Sequence, residues 1–105
     1  MIKVSILYQN RLGGRFDMDY YVNTHMPMSI QMLGTALKGV TVEHGLSGIK
    51  LESEPAYVAM CHLFFDSVEA FLSAFTPHAE LIRNDIANYT NIEPMIQYSE
   101  MKIHQ

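Results

Sequence analysis

The chain has 105 residues, of which 49% are hydrophobic and 17% charged, so it suits one domain (1–105) with its own core and not a disordered chain. Its net charge is −4 and its seven Lys and Arg residues form no cluster, so we do not expect nucleic-acid binding. No apolar run approaches the roughly 20 residues of a membrane span. The single Cys61 cannot form an intrachain disulfide, which fits a reducing compartment. We therefore expect a cytoplasmic protein that does not bind a membrane.

The first predicted elements are a strand and a capped helix. Apolar residues alternate from Ile2 to Tyr8, which is the period of a β-strand. After a glycine-containing turn, the carboxylate of Asp17 can accept unpaired N–H groups of a helix that starts there. Phe16 before this cap and Tyr21 within the helix have the spacing of a hydrophobic staple.

The helix that follows carries a predicted break. Tyr21 and His25 are four residues apart, so they project from the same face. Pro27 has no N–H, so the helix should kink beside the imidazole of His25. We expect the same face to continue after the kink through Met28, Met32 and Leu33.

Two further strands are predicted in the middle of the chain. Val40 to Leu46 is rich in β-branched residues, and Ser47 to Pro55 is a polar loop. Tyr57 to Phe65 is apolar on both alternating faces apart from His62, which indicates that both faces are covered.

The last predicted elements are a second helix and a final strand. Asp66 to Glu69 has the spacing of a capping box, so a helix should begin there. Pro77 interrupts this helix, which restarts from His78 to Ile86. Met95 to Ile103 is the last strand. The buried stripe of the second helix is predicted to contain Ala70, Phe71, Ala74 and Phe75.

The order strand, helix, strand, strand, helix, strand predicts an α+β fold. Two crossovers give a four-stranded antiparallel sheet with both kinked helices on one face, the ferredoxin-like βαββαβ arrangement. The doubly apolar third strand indicates that a second copy covers the other face. We expect a homodimer with an interface of about 1,600 Å² in total.

Several side chains are candidates for chemistry. His25 can take and return a proton near neutral pH; the alternative is a histidine that caps freed backbone at the kink. Tyr8, Tyr21 and Tyr89 can offer hydroxyls to a carbonyl group in an apolar pocket. Asn91 can polarise a carbonyl, although an Asn at a turn more often caps local backbone.

Other residues have simpler interpretations. Met28 and Met32, together with Met26, form an adaptable apolar wall or part of the core. Cys61 and His62 are adjacent in a strand and so point to opposite faces. No metal-ligand spacing and no phosphate-binding loop occurs, so we expect no metal and no cofactor.

Two segments carry a resemblance to a known family. They are Asp17-x-Asp19-Tyr20-Tyr21-x-x-x-His25-Met26-Pro27 and Asn88-Tyr89-Thr90-Asn91-Ile92-Glu93-Pro94. Together they resemble the EthD family of the dimeric α/β-barrel superfamily, and the resemblance extends over essentially the whole chain. It implies a ferredoxin-like subunit that pairs sheet to sheet into a homodimer, with a pocket between sheet and helices.

The resemblance does not fix a reaction. Its superfamily includes lactone isomerases, polyketide cyclases and dehydratases, cofactor-independent oxygenases and haem proteins. Our first hypothesis is a cofactor-independent acid–base enzyme acting on a small apolar carbonyl compound in a catabolic or secondary-metabolic pathway. The alternatives are a non-catalytic small-molecule binder or accessory subunit of a degradation system, and a structural dimer with no ligand.

Overall fold

A computed structural model describes all 105 residues, and its sheet confirms the predicted α+β architecture. The four strands form one antiparallel sheet in the order β2-β3-β1-β4. This is the order of a ferredoxin-like βαββαβ fold. The strands are β1 (Ile2–Gln9), β2 (Gly39–His44), β3 (Tyr57–Phe65) and β4 (Met95–Glu100).

The first helical region is continuous but changes its winding. It consists of α1 (Met18–Tyr20), a π-helical turn (Tyr21–His25), α2 (Met26–Leu33) and a 3₁₀ turn (Gly34–Ala36). As predicted, the carboxylate of Asp17 caps it by accepting the N–H of Tyr20 at 3.0 Å.

The predicted kink at Pro27 takes the form of the π-helical turn directly before it. The N–H of Met26 donates to the carbonyl of Tyr21, five residues back. Since Pro27 offers no N–H to the preceding turn, a wider turn with one extra residue absorbs the lost hydrogen bond without a sharp bend.

The second helical region has the interruption predicted at Pro77. It consists of α3 (Val68–Phe75), a 3₁₀ turn (Thr76–His78), α4 (Ala79–Asp85) and a last 3₁₀ turn (Ile86–Asn88). Its N-cap is Ser67, whose hydroxyl accepts the N–H of Ala70 at 3.0 Å. The cap is therefore Ser67 and not Asp66, the residue that the capping-box spacing predicts.

Two predicted strand ends were too long. β2 ends at His44. The next residue, Gly45, lies close against β3, where a Cβ would be 2.2 Å from the carbonyl oxygen of Tyr57. β4 ends at Glu100, which pairs with Ile2 at the start of β1. Beyond Glu100 one backbone hydrogen bond continues the pairing, from the N–H of Met101 to the carbonyl of Met1 at 3.1 Å.

The strand register separates the two faces of the sheet. Val4 lies opposite Leu63 on β3 and Tyr98 on β4, on the face that the helices cover. Ser5 lies opposite His62 on the other face, against which no helix packs. Residues under the helices are therefore the buried ones on β3, and Cys61 is 0% exposed. No helix is long and apolar enough to cross a membrane.

Candidate functional site

A cavity of about 320 Å³ lies between the sheet and the helices, near the lower end of the size range of small-molecule sites. Of its 22 lining residues, 17 are hydrophobic, so it suits a small and mostly apolar ligand. The exposed members of the lining mark its mouth, between the second helical region and β4. They are Leu72, Thr76, Arg83, Ile96 and Tyr98.

His25 lines this cavity from the last position of the π-helical turn and is only 5% exposed. Its Nδ1 lies 2.9 Å from Oδ2 of Asp85. Since an ionised carboxylate only accepts hydrogen bonds, Nδ1 carries the proton and donates a hydrogen bond to Asp85. Neutral His25 therefore presents Nε2 as a lone-pair acceptor.

The Nε2 atom of His25 is free to meet a ligand. It has no hydrogen-bond partner in the protein, while Nδ1 is the ring atom that Asp85 holds. Nε2 of His25 is not among the fully buried side-chain polar atoms that lack a hydrogen bond, so it is not sealed inside the protein. Because the ring lines the cavity, this basic nitrogen opens onto it.

Asp85, the last residue of α4, is held by two further donors. The hydroxyl of Tyr20 donates to Oδ1 at 2.7 Å, and the amide of Asn88 donates to the same oxygen at 2.9 Å. Burial acts to raise the pKa of Asp85, but the hydrogen bonds from Asn88, Tyr20 and His25 together outweigh it and lower that pKa. The carboxylate is therefore charged and fixed in orientation at neutral pH.

The pKa of His25 lies below its ordinary value. Burial is the main cause, because it disfavours the charged imidazolium, and the neighbouring Asp85 acts in the opposite direction. His25 is therefore neutral at pH 7 and ready to accept a proton. Asp85 would then stabilise the imidazolium that forms.

Three tyrosines complete the polar part of the cavity. The hydroxyls of Tyr8 and Tyr89 lie 2.6 Å apart, and both rings are buried. The ring of Tyr21 stacks on His25 with a centroid distance of 5.5 Å and an interplanar angle of 12°. Burial is the main cause that raises the pKa of all three phenols, so each keeps its proton and can act as a donor.

One known protein family matches most of this chain. The model of the EthD domain matches residues 13–93, which include His25, Asp85 and Tyr89. The chain belongs to the EthD family. A search of curated proteins gave no match.

Solved structures of EthD proteins share the fold. An EthD-like protein from Ralstonia eutropha JMP134 is 45% identical over 99% of this chain and 94% of its own, with a TM-score of 0.94. An ethyl tert-butyl ether D (EthD) family protein from Bacillus halodurans C-125 is 20% identical over 96% of this chain and 98% of its own, with a TM-score of 0.74. HapK from Hahella chejuensis is 10% identical over 100% of this chain and 97% of its own, with a TM-score of 0.59, which is a likeness of fold alone.

The EthD fold brings some of the predicted site residues together and leaves others outside. His25, Tyr8 and Tyr21 line the cavity, whereas Met28 and Met32 do not. The lining continues from His25 in steps of four residues, through Ser29 and Leu33, together with Met26. The prediction stepped three residues from His25 to Met28, which turns the side chain away from the cavity.

Asn91 also lies outside the cavity. Its side-chain oxygen accepts the N–H of Arg15 at 2.7 Å, and its amide donates to the carbonyl of Gly13 at 3.1 Å. Both groups are thus engaged in holding the loop before the first helix. In this structure Asn91 caps local backbone, which is the alternative that its position in a turn suggested.

Cys61 and His62 face opposite sides of the sheet, as predicted. Cys61 lines the cavity, and burial raises the pKa of its thiol to about 12, so it is not a nucleophile at neutral pH. His62 lies on the helix-free face, where Nδ1 is 2.9 Å from the hydroxyl of Ser5 and Nε2 is 3.2 Å from Glu43. No three His, Cys, Asp or Glu side chains lie close enough to form a metal site.

Sequence reasoning missed the residues that support His25. Asp85 is 60 residues away, and its carboxylate has no local pattern that marks it as a partner. Tyr20 and Asn88 lie within the two family segments but were not assigned a role. A signal was present in the spacing of Asp85 and Asn88, which are three residues apart at the end of a predicted helix.

Proposed function

We propose that this EthD protein is an acid–base enzyme that needs no cofactor and acts on a small, mostly apolar carbonyl compound. The observation that carries the proposal is the pairing of His25 with Asp85 at 2.9 Å, with Nε2 of His25 open to the apolar cavity. A neutral imidazole backed by a fixed carboxylate is a suitable general base.

In the proposed reaction, Nε2 of His25 removes a proton from the carbon next to the substrate carbonyl. The electron pair of that C–H bond moves to the carbonyl oxygen and forms an enolate. The hydroxyl of Tyr21, which lies beside the hydroxyl of Tyr8 and the thiol of Cys61, can donate to this oxygen. The imidazolium then returns the proton to a different atom of the enolate, as in an isomerisation. In a dehydration the carbonyl re-forms as the bond to a β-hydroxyl breaks, and the proton leaves with that hydroxyl as water. In a cyclisation the enolate carbon forms a bond to a second carbonyl carbon, and the proton goes to the alkoxide that results.

We also propose a setting for this reaction, a catabolic or secondary-metabolic pathway in the cytoplasm. The EthD family, to which the chain belongs, carries the name of ethyl tert-butyl ether, and this supports a small organic compound as the substrate. The single thiol of Cys61 suits a reducing compartment.

The test is incubation of a small-molecule extract with the protein in D₂O, followed by untargeted mass spectrometry. The wild type is expected to convert a compound or to introduce deuterium at a carbon atom, because a proton held on His25 exchanges with solvent. His25→Ala should do neither. His44→Ala, which removes an exposed histidine of β2, is the matched control. Equal labelling by His25→Ala would reject His25 as the base.

A second function is a non-catalytic binder of small molecules or an accessory subunit of a degradation system. It is favoured by the hydrogen bond between the hydroxyls of Tyr8 and Tyr89, which satisfies two of the polar groups in an otherwise apolar cavity. In this case the ligand is recovered unaltered, and Tyr21→Phe and His25→Ala weaken its binding without any change of products.

We propose that two copies pair through the helix-free face of the sheet. No helix packs there, and its apolar residues Leu7, Met60 and Phe64 remain partly exposed in the single chain. A second copy placed against this face would bury them. A standard interface of about 1,600 Å² in total is expected.

A further inference from the structure

Arg83 is the one permanently charged residue in the lining of the cavity. The other lining residues that are not hydrophobic are His25, Ser29, Thr76 and Pro94. Arg83 is exposed and lies at the mouth, whereas His25 is buried at the inner end. The cavity is therefore polarised, with a cation at its opening and a neutral base inside.

The guanidinium of Arg83 has no partner of opposite charge. The contacts of basic with acidic side chains in the chain are His25–Asp85, His62–Glu43 and Lys102–Glu100, and none involves Arg83. Its guanidinium carbon lies 5.7 Å from the centre of the Phe75 ring, which also lines the cavity. This contact holds the cation against the apolar rim and leaves its N–H groups free.

The charge of the rest of the protein makes this position unusual. The chain carries a net charge of −4, so it has no general attraction for anions. The fixed carboxylate of Asp85 stands behind His25 and would repel an anionic group at the inner end. A ligand anion is therefore favoured only at the mouth, beside Arg83.

We propose that the substrate of this cavity is an apolar acid, whose carboxylate is bound by Arg83 while its apolar body reaches inward to His25. A planar guanidinium matches a carboxylate with two parallel hydrogen bonds. A single cation suits the single charge of a carboxylate better than the double charge of a phosphate ester. The reaction part of this inference rests on the proposed function, but the binding part does not.

The experiment measures binding by calorimetry with two probes of nearly equal size, 4-phenylbutanoate and its neutral amide 4-phenylbutanamide. The measurement is made at pH 8, where His25 is neutral, so that Arg83 is the only cation in the lining. The wild type should bind the acid about tenfold more tightly than the amide, which is the size expected for hydrogen bonds to a charged group.

Three variants separate the role of Arg83 from general effects. Arg83→Gln should remove the preference for the acid over the amide, and Arg83→Lys should restore part of that preference. Lys50→Gln makes the same change of charge on an exposed loop outside the cavity, so the preference should stay. Equal binding of acid and amide by the wild type, no binding of either probe, or a preference that survives Arg83→Gln would each overturn the proposal.

His25→Ala distinguishes this inference from the proposed function. If the variant keeps the preference for the acid, the binding inference stands even when no conversion that depends on His25 is found. If conversion depends on His25 but acid and amide bind equally, the enzyme proposal stands and the substrate class is wrong.

Discussion

Nδ1 of His25 donates a hydrogen bond of 2.9 Å to Asp85, across 60 residues of sequence. The two side chains come from the ends of different helical elements, the π-helical turn and α4. Tyr20 and Asn88 hold the second oxygen of the same carboxylate. The orientation of the imidazole is therefore set by both helical regions at once.

Asp85→Asn should lower the rate of any proton transfer that depends on His25 by about 10²- to 10⁴-fold. An amide in place of the carboxylate can donate to Nδ1, so the proton moves to Nε2 and the base is lost. ¹⁵N NMR of the imidazole at pH 8 measures this directly, since the wild type should carry its proton on Nδ1.

Asp19→Asn is the matched control for this variant. It makes the same change on an exposed acid of the first helix, and the ring nitrogens of His25 should keep their wild-type signals. An unchanged tautomer in Asp85→Asn would show that the carboxylate does not orient the ring.

The free energy of unfolding should fall as the pH drops below the ordinary value of about 6.5 for histidine. The pKa of His25 is lowered in the folded chain, so the unfolded chain binds the extra proton first and is favoured as the pH falls. One such group changes the stability by at most about 1.4 kcal/mol per pH unit.

Urea unfolding between pH 8 and pH 5 tests this dependence. His25→Gln should flatten the decline, whereas His44→Gln should keep the wild-type slope because His25 is intact. A decline of the same steepness in His25→Gln would assign the pH dependence to other groups.

The sequence was sufficient for features that depend on local patterns. The alternation in β1 and β3, the cap at Asp17 and the interruptions near Pro27 and Pro77 each follow from a few neighbouring residues. The ends of β2 and β4 do not follow from such patterns. They depend on how closely Gly45 packs against β3 and on where β1, the partner of β4, begins.

The site was only partly predictable for the same reason. His25 and Tyr21 share a helix face, so their common position in the cavity follows from spacing alone. Asp85 and Arg83 reach the site through the packing of a distant helix, and no local pattern marks that approach. Met28 lies outside the cavity because the lining continues from His25 in steps of four residues, and Met28 is three residues away.

Tyr8→Phe and Tyr89→Phe should each destabilise the protein by about 1–3 kcal/mol, because each leaves one buried hydroxyl without its partner. The double variant should lose less than the sum of the two, since it removes both hydroxyls together. Urea unfolding of the four proteins measures the coupling. Strict additivity would show that the bond of 2.6 Å contributes no stability of its own.

Phe64→Glu should convert the proposed homodimer into a folded monomer. Phe64 lies on the helix-free face opposite Lys3 of β1, so the new carboxylate has a partner within one chain but is buried beneath a second copy. Analytical ultracentrifugation gives the mass, and circular dichroism confirms the fold. Leu12→Glu, at a residue that is 101% exposed, should remain dimeric. A wild type that sediments as a monomer would remove the basis for this proposal.

The π-helical turn Tyr21–His25 holds one residue more than a regular α-helical turn. Deletion of Asn23, an exposed residue of this turn, would let a regular α-helix close while the segments on either side keep nearly the same relative orientation. Tyr21 and His25 would then be three residues apart and still on one face. The same deletion within the regular helix α2 would rotate its two parts by about 100° relative to each other, so the turn is the place where this helix tolerates a change of length.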